Sequence, residues 1–313
     1  MELTLGLSSC LAGNAVRYDG DDSYNPKIMR EIGEWATFEV ICPEMAIGLG
    51  VPRKPIQLRR HGEDVRVQGV DNPQLDVTDA LLDFARQIST RCDQWSGYIL
   101  KKGSPSCGMH GVRIMDASGQ QQLESGQGKF AQHLQQLCPT LPMIDEWQLA
   151  DSQQYDQFIQ RVLARWQWLK WIRTSPDLAA LRQFHQRFAL SLLLRDPQAK
   201  YDLDAWLDER ESLGESDLAQ YFLLFMTALN GQADVLQRSL ALNVYAQPLA
   251  SEIEAADWAA LQELLSEYGA GIVPLSFVLG ALRQLVVKHQ LALWQDCVCL
   301  FPDGVEQRLR YPV

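Results

Sequence analysis

The chain has 313 residues, of which 47% are hydrophobic and 21% charged, with a formal net charge of −11. That length suits two ordinary domains, and that apolar share excludes global disorder. No apolar run reaches the roughly 18 to 20 residues of a membrane-spanning helix, and the opening MELTLGLSSC has no basic n-region. Neither a membrane anchor nor a signal peptide is therefore expected, and a cytoplasmic location follows.

In chain order, LTLGLS (3–8) predicts a short buried strand ending at Ser9 and Cys10. NPKIMREIGEWATF (25–38) predicts a helix with Ile28, Ile32 and Trp35 on one face, and FEVIC (38–42) a strand stopped by Pro43. DVTDALLDFARQISTRC (76–92) repeats Leu81, Phe84, Ala85 and Ile88 along one side, as an amphipathic helix does. SGYIL (96–100) reads as a strand, GKFAQHLQQLC (128–138) as a helix and LPMI (141–144) as a last strand. Strands and helices alternating at this spacing predict a parallel sheet with crossover helices, so residues 1–148 read as one Rossmann-like α/β domain. From Asp151 helical periodicity takes over, with Tyr155, Phe158, Ile159, Val162, Leu163 and Trp166 sharing a face. Residues 149–175 read as a connecting helix, and 176–313 as a mainly α-helical C-terminal domain.

The seven cysteines, Cys10, Cys42, Cys92, Cys107, Cys138, Cys297 and Cys299, show no regular pairing. In a reducing compartment such a set predicts core residues, metal ligands or reactive thiols before disulfides, with Cys92 and Cys138 on helices facing the core. Three of the seven hold equivalent places. Cys10 follows the first strand, Cys42 the second, and Cys107 lies in KKGSPSCGMHG (101–111) after the third, each close to a breaker (Gly13, Pro43, Gly108). Carboxyl ends of parallel strands share one edge, where ligands collect. Thiols 32 and 65 residues apart are thus expected to converge into a soft-metal site. Zinc would need a fourth ligand from His61, His110, Cys92 or Cys138. Three cysteines alone suit a [4Fe–4S] cluster with one iron open.

Glu44, directly after Cys42 and Pro43, is a candidate for moving protons or activating water. Ser104 and Ser106 are candidates for bonding a substrate oxygen or a cluster, with backbone capping as their plainer role. Lys101, Lys102 and Arg53 could offset negative charge. SGQGKF (125–130) puts two glycines at a helix start, where amides can hold an anion, but lacks the full phosphate-loop pattern. Charge is also unevenly spread: residues 161–200 carry a net +6 and residues 201–313 a net −10. Arg161, Arg165, Lys170 and Arg173, interleaved with Trp166, Trp168 and Trp171, form a candidate nucleic-acid surface; the plainer reading is that the tryptophans are core packing.

SSCLAGNAVRYDG (8–20), CPEMAIGLGVPRKP (42–55), KKGSPSCG (101–108) and GQGKFAQHL with LPMIDE (126–146) together resemble the thiouracil desulfidase family. The resemblance implies a [4Fe–4S] cluster held by Cys10, Cys42 and Cys107, whose open iron takes the sulfur of a thiocarbonyl while water supplies the oxygen. It places the family's catalytic glutamate on Glu44 and its serine on Ser104. Relatives often carry a glutamate where this chain has Gln57. FHQRFALSLLLRDP (184–197), YGAGIVPL (268–275) and the closing LFPDGVEQRLR are similar, more faintly, to a helical domain of unknown function fused to such enzymes. Phe188, Ala189 and Arg195 depart from its polar pattern, and only His185 is carried over. Fused members resemble desulfidases of 4-thiouridine in transfer RNA. Three readings stay open: a desulfidase acting on tRNA, one acting on free thiouracil or a thionucleoside, and a non-catalytic metal protein with a closed four-ligand site.

Overall fold

A computed structural model describes residues 2–302 and Gly304, so most of the closing LFPDGVEQRLR lies outside the described residues. Two compact units divide the chain after Lys170. The first contains β1 (Thr4–Ser8), β2 (Thr37–Ile41), α1 (Pro43–Ala46), β3 (Ile56–His61), β4 (Asp64–Gly69), α2 (Thr78–Ser89), β5 (Gly97–Leu100), β6 (Val112–Met115), β7 (Gln122–Gly126), α3 (Lys129–Leu137), β8 (Met143–Asp145) and nearly all of α4 (Ser152–Trp171). The chain is an α/β domain followed by a mainly helical region.

β1, β2, β5 and β8 form a parallel sheet in the order β2-β1-β5-β8, which seats the ends of β2, β1 and β5 side by side. Period-two alternation explains how both faces are covered. Gly6 faces one side, where a Cβ would lie 1.5 Å from Cδ2 of Tyr98, so only glycine lets that ring cross the strand. Tyr98 stacks on Trp95 at 5.5 Å and meets Phe130 of α3 edge-on. Gly97 faces the other side, where Phe158 and Val162 of α4 approach so closely that a Cβ would be 2.7 Å from Val162. Leu5, Leu7 and Ile99 are fully buried in this core. α2 contributes Leu81, Ala85 and Ile88, the face its periodicity predicts.

Four departures from expectation have physical causes. Residues 25–38 form only a short helical stretch, 26–32, π-helical over Ile28–Ile32, because Gly33 and the start of β2 at Thr37 leave no room for more. A second four-stranded sheet, β4-β3-β6-β7, stands where no strands are predicted. Its strands carry Arg59, Arg60 and Arg66, and the Arg59 guanidinium is buried against the carbonyls of Gly69 and Val70. Cys92 and Cys138 are joined as a disulfide, in a 3-10 turn after α2 and at the end of α3.

Arg165 is the fourth, and it corrects the basic surface. It is only 2% exposed and donates to the carbonyls of Trp95 (2.9 Å) and Cys92 (3.0 Å) and to Thr140 Oγ1 (2.5 Å). Burial pulls its pKa down to about 10, so it stays cationic at neutral pH while sealed from any phosphate. Trp168 is buried beside it in the helix, Arg161 is half-buried, and Lys170 and Arg173 are exposed.

The second unit contains α5 (Leu178–Arg195), α6 (Pro197–Asp208), α7 (Asp217–Leu229), α8 (Val235–Ala246), α9 (Ala255–Gly269), α10 (Leu275–Lys288) and α11 (Ala292–Gln295). Asp196 ends α5 and caps α6, whose first residue is Pro197, so the Asp-Pro pair writes the break. His185 is 4% exposed, held between the Tyr221 hydroxyl (3.0 Å) and Asp204 Oδ1 (2.8 Å). No helix among the described residues is long and apolar enough to cross a membrane.

Candidate active site

Each of three neighbouring strands hands the chain to a segment bearing a cysteine. β1 leads into a 3-10 turn, Ser9–Ala12, that holds Cys10. β2 leads to Cys42, the residue before α1, whose Pro43 fits the first helical position. β5 leads into the 101–111 loop with Cys107. The three thiols open on one cavity of about 440 Å³, whose walls include Glu44, Arg53, Lys101 and Ser104.

The Cys107 loop is tied down from both ends. Glu146, just beyond β8, forms an ion pair with Lys101 and accepts from the Lys102 amide at 2.6 Å. At the other end, α3 turns its first amides onto loop carbonyls: Gly128 N to Gly108 O (2.8 Å), Lys129 N to Pro105 O (3.0 Å) and Ala131 N to Ser106 O (3.1 Å). Of the glycines of SGQGKF, Gly128 therefore serves close backbone contact, Gly126 ends β7 against the Ile114 side chain, and these amides hold carbonyls of the chain instead of an anion.

Glu44 links the loop to the rest of the cavity. Its Oε1 accepts from Ser106 Oγ (3.0 Å) and Ser104 Oγ (3.4 Å), and its Oε2 accepts from Arg53 Nη2 (2.6 Å) and Nε (3.0 Å). Ser104 Oγ accepts in turn from the amides of Ser106 and Cys107, both at 3.1 Å. With two N–H groups on its oxygen, its own hydrogen is aimed at Glu44. Ser106 is fully buried and supports Glu44 from behind, whereas Ser104 lines the cavity. Arg53, expected as a loose counter-charge, is bound to Glu44.

The thiols are protonated in this setting. Burial pushes Cys10 up to about 11 against the pull of Lys101, raises Cys42, and raises Cys107 well above its ordinary value despite a hydrogen bond from Ser8. Metal binding would have to displace those protons. The donor set is three soft sulfurs, and among the described residues no group of three His, Cys, Asp or Glu is gathered closely enough for a single ion. Three soft sulfurs are the donor chemistry of an iron–sulfur cluster, which takes each thiolate on a different metal. No fourth cysteine or histidine stands in the described wall, and its carboxylate, Glu44, is held by Arg53 and the two serines. His61 bonds Gln68, His110 is exposed, and Cys92 and Cys138 bond each other.

Gln57 turns towards Gly119 and Arg59, away from the cavity walls. Ser8, Arg17 and Glu146 belong to the site but are not singled out by the sequence reading. Glu146 follows the last predicted strand, so the strand-end logic that finds the cysteines also points to it.

A family model described as 2-thiouracil desulfurase matches residues 5–146, and one for a protein of unknown function (DUF1722) matches residues 190–302. The uncharacterized protein YbbK of Bacillus subtilis (strain 168) is 34% identical over 113 residues, covering 33% of this chain and 71% of that protein. A solved structure of the [4Fe–4S]-dependent thiouracil desulfidase TudS is 31% identical, covers 48% of this chain and 94% of its own, and has a TM-score of 0.37.

Proposed function

Since the chain belongs to the 2-thiouracil desulfurase family, we propose that it replaces the sulfur of a thiolated uracil by oxygen, using a [4Fe–4S] cluster held by Cys10, Cys42 and Cys107. One observation carries this reading: three cysteines from three adjacent strand ends open on one cavity with no fourth cysteine or histidine in its described wall. When bound, the cluster supplies a soft open iron suited to a departing sulfur.

The chain's own residues handle everything else. The cavity admits a pyrimidine and lines it with Pro43, Pro55 and Ile56, which limit water. Lys101 and Arg17 place positive charge beside Cys10 and offset the negative charge of a thiolate-bound group. The net change, C=S plus water to C=O plus hydrogen sulfide, moves protons but no electrons. Glu44 Oε1, which Ser104 holds only at 3.4 Å, takes the two protons of the attacking water one after the other and returns each to the departing sulfur, giving hydrogen sulfide.

Anaerobic reconstitution followed by incubation with thiouracil tests the reading. Sulfide should appear with the wild type and not with Cys107→Ser; equal release from both would overturn it. The finer substrate, 4-thiouridine in tRNA, draws support from the helical second unit and from exposed Lys170, seated 4.3 Å over the Trp166 ring, and Arg173. Turnover of thiolated tRNA should then fall steeply with salt and on charge reversal at Lys170 and Arg173, while turnover of free thiouracil stays constant. Equal salt response of both substrates would remove tRNA.

A further inference from the structure

The side chain of Arg53 is only 7% exposed, and its guanidinium does more than neutralise Glu44. Nε and Nη2 both bind the same carboxylate oxygen, Oε2, which leaves Oε1 to the serines of the Cys107 loop. Nη1 donates to the carbonyls of Val16 (3.0 Å) and Gly50 (2.8 Å), and the Arg53 amide donates to Tyr18 O (2.9 Å). One side chain thus joins the strap after Cys10, the segment after Cys42 and, through Glu44, the loop of Cys107. All three guanidinium nitrogens are engaged. A lysine, with a single ammonium, could meet Oε2 or the two carbonyls but not both sets.

We propose that Arg53 is a positioning residue for the desulfidation: it clamps one oxygen of Glu44 so that the other faces Ser104 and the cavity. The proposal rests on the reading of Glu44 as the proton-handling group. Ser106 and Ser104 approach Glu44 from a single side. Without Arg53 opposite them, nothing in the described wall fixes the carboxylate plane.

The test compares Arg53→Ala, Arg53→Lys, Glu44→Gln and the double variant R53A/E44Q. In cluster-loaded protein, R53A and R53K should each lower kcat on thiouracil about 100-fold with KM within about threefold, the scale of a misplaced catalytic group. The double variant should be no slower than E44Q alone, because Arg53 acts through Glu44. A second readout needs no cluster. Guanidinium ion at tens of millimolar should raise the unfolding temperature of apo R53A by about 1–2 °C by filling the vacated place. It should do nothing for the wild type or for R53A/E44Q. Additive losses in the double variant, full kcat in R53K, or an equal guanidinium response in R53A and R53A/E44Q would overturn the proposal. A loaded wild type that releases no sulfide would instead refute the function, and the cluster-free arm would still judge Arg53. Should R53A fail to fold, R53K with wild-type iron content carries the kinetic arm.

Discussion

Replacing Gly128 by alanine should unseat the Cys107 loop. Gly128 precedes α3 with φ −63° and ψ 139°, a conformation alanine adopts freely, so the effect is steric alone. The new Cβ would stand 2.5 Å from both the carbonyl carbon and the oxygen of Ser106 and 2.8 Å from the Cys107 amide. These are backbone atoms, so relief requires the helix start and the loop to part by about 1 Å. That parting strains three hydrogen bonds at once: Gly128 to Gly108, Lys129 to Pro105 and Ala131 to Ser106. Overpacking together with three bonds each worth about 1 kcal/mol gives a loss of roughly 2–4 kcal/mol. Because the two units need not unfold together, the measurement is urea unfolding read by hydrogen exchange on peptides of the first unit. Iron per chain after anaerobic reconstitution should fall to less than about half. Gly103→Ala is the control: its φ of +70° costs about 1 kcal/mol, but no atom lies within 4 Å of the new Cβ, so the loop stays seated. A G128A protein within about 0.5 kcal/mol of wild type and with full iron uptake would refute the reasoning.

Arg165→Ala should destabilise the first unit by about 3 kcal/mol, since it strands the buried carbonyls of Trp95 and Cys92; urea unfolding measures it, and Arg165→Lys should not restore it. Cys138→Ser, or reduction of the wild type, should remove up to roughly 4 kcal/mol, the loop-closure figure for a bridge spanning 46 residues, and dithiothreitol should then leave C138S unmoved. Asp76 sits partly buried, which raises its pKa, but hydrogen bonds from Arg66 and Thr78 outweigh that and hold it at about 2. Its stabilising share is therefore complete above about pH 4 and fades as pH falls towards 2. Asp76→Asn should flatten the stability profile in that window, by no more than about 1 kcal/mol given solvent screening.

The cysteine triad is readable in the sequence because strand ends, breakers and parallel topology are all local signals, and they agree. What escapes is what depends on partners distant in the chain. The β3–β4 strands alternate Ile56 and Leu58 with Val65 and Val67, yet their arginines mask the pattern, since charge buried against carbonyls has no sequence mark. Arg165 had a readable signal: it falls in helical phase with Phe158, Val162 and Leu169, all buried. Phase outranks charge when a helix packs on a sheet. The disulfide could also be anticipated. α2 and α3 lie against the same core, and both cysteines follow the carboxyl ends of those helices. The Glu44–Arg53 pair joins positions only nine apart, but its orientation comes from carbonyls of Val16 and Gly50 that no spacing reveals.

Every residue of the cavity wall lies between Ser8 and Arg113, and the struts behind it end at Glu146. A ribosome adding 5 to 20 residues per second needs roughly 7 to 30 seconds to make residues 171–313 alone. During that interval the nascent first unit already owns its three thiols, so iron or oxidant can reach them before the helical half has been synthesised.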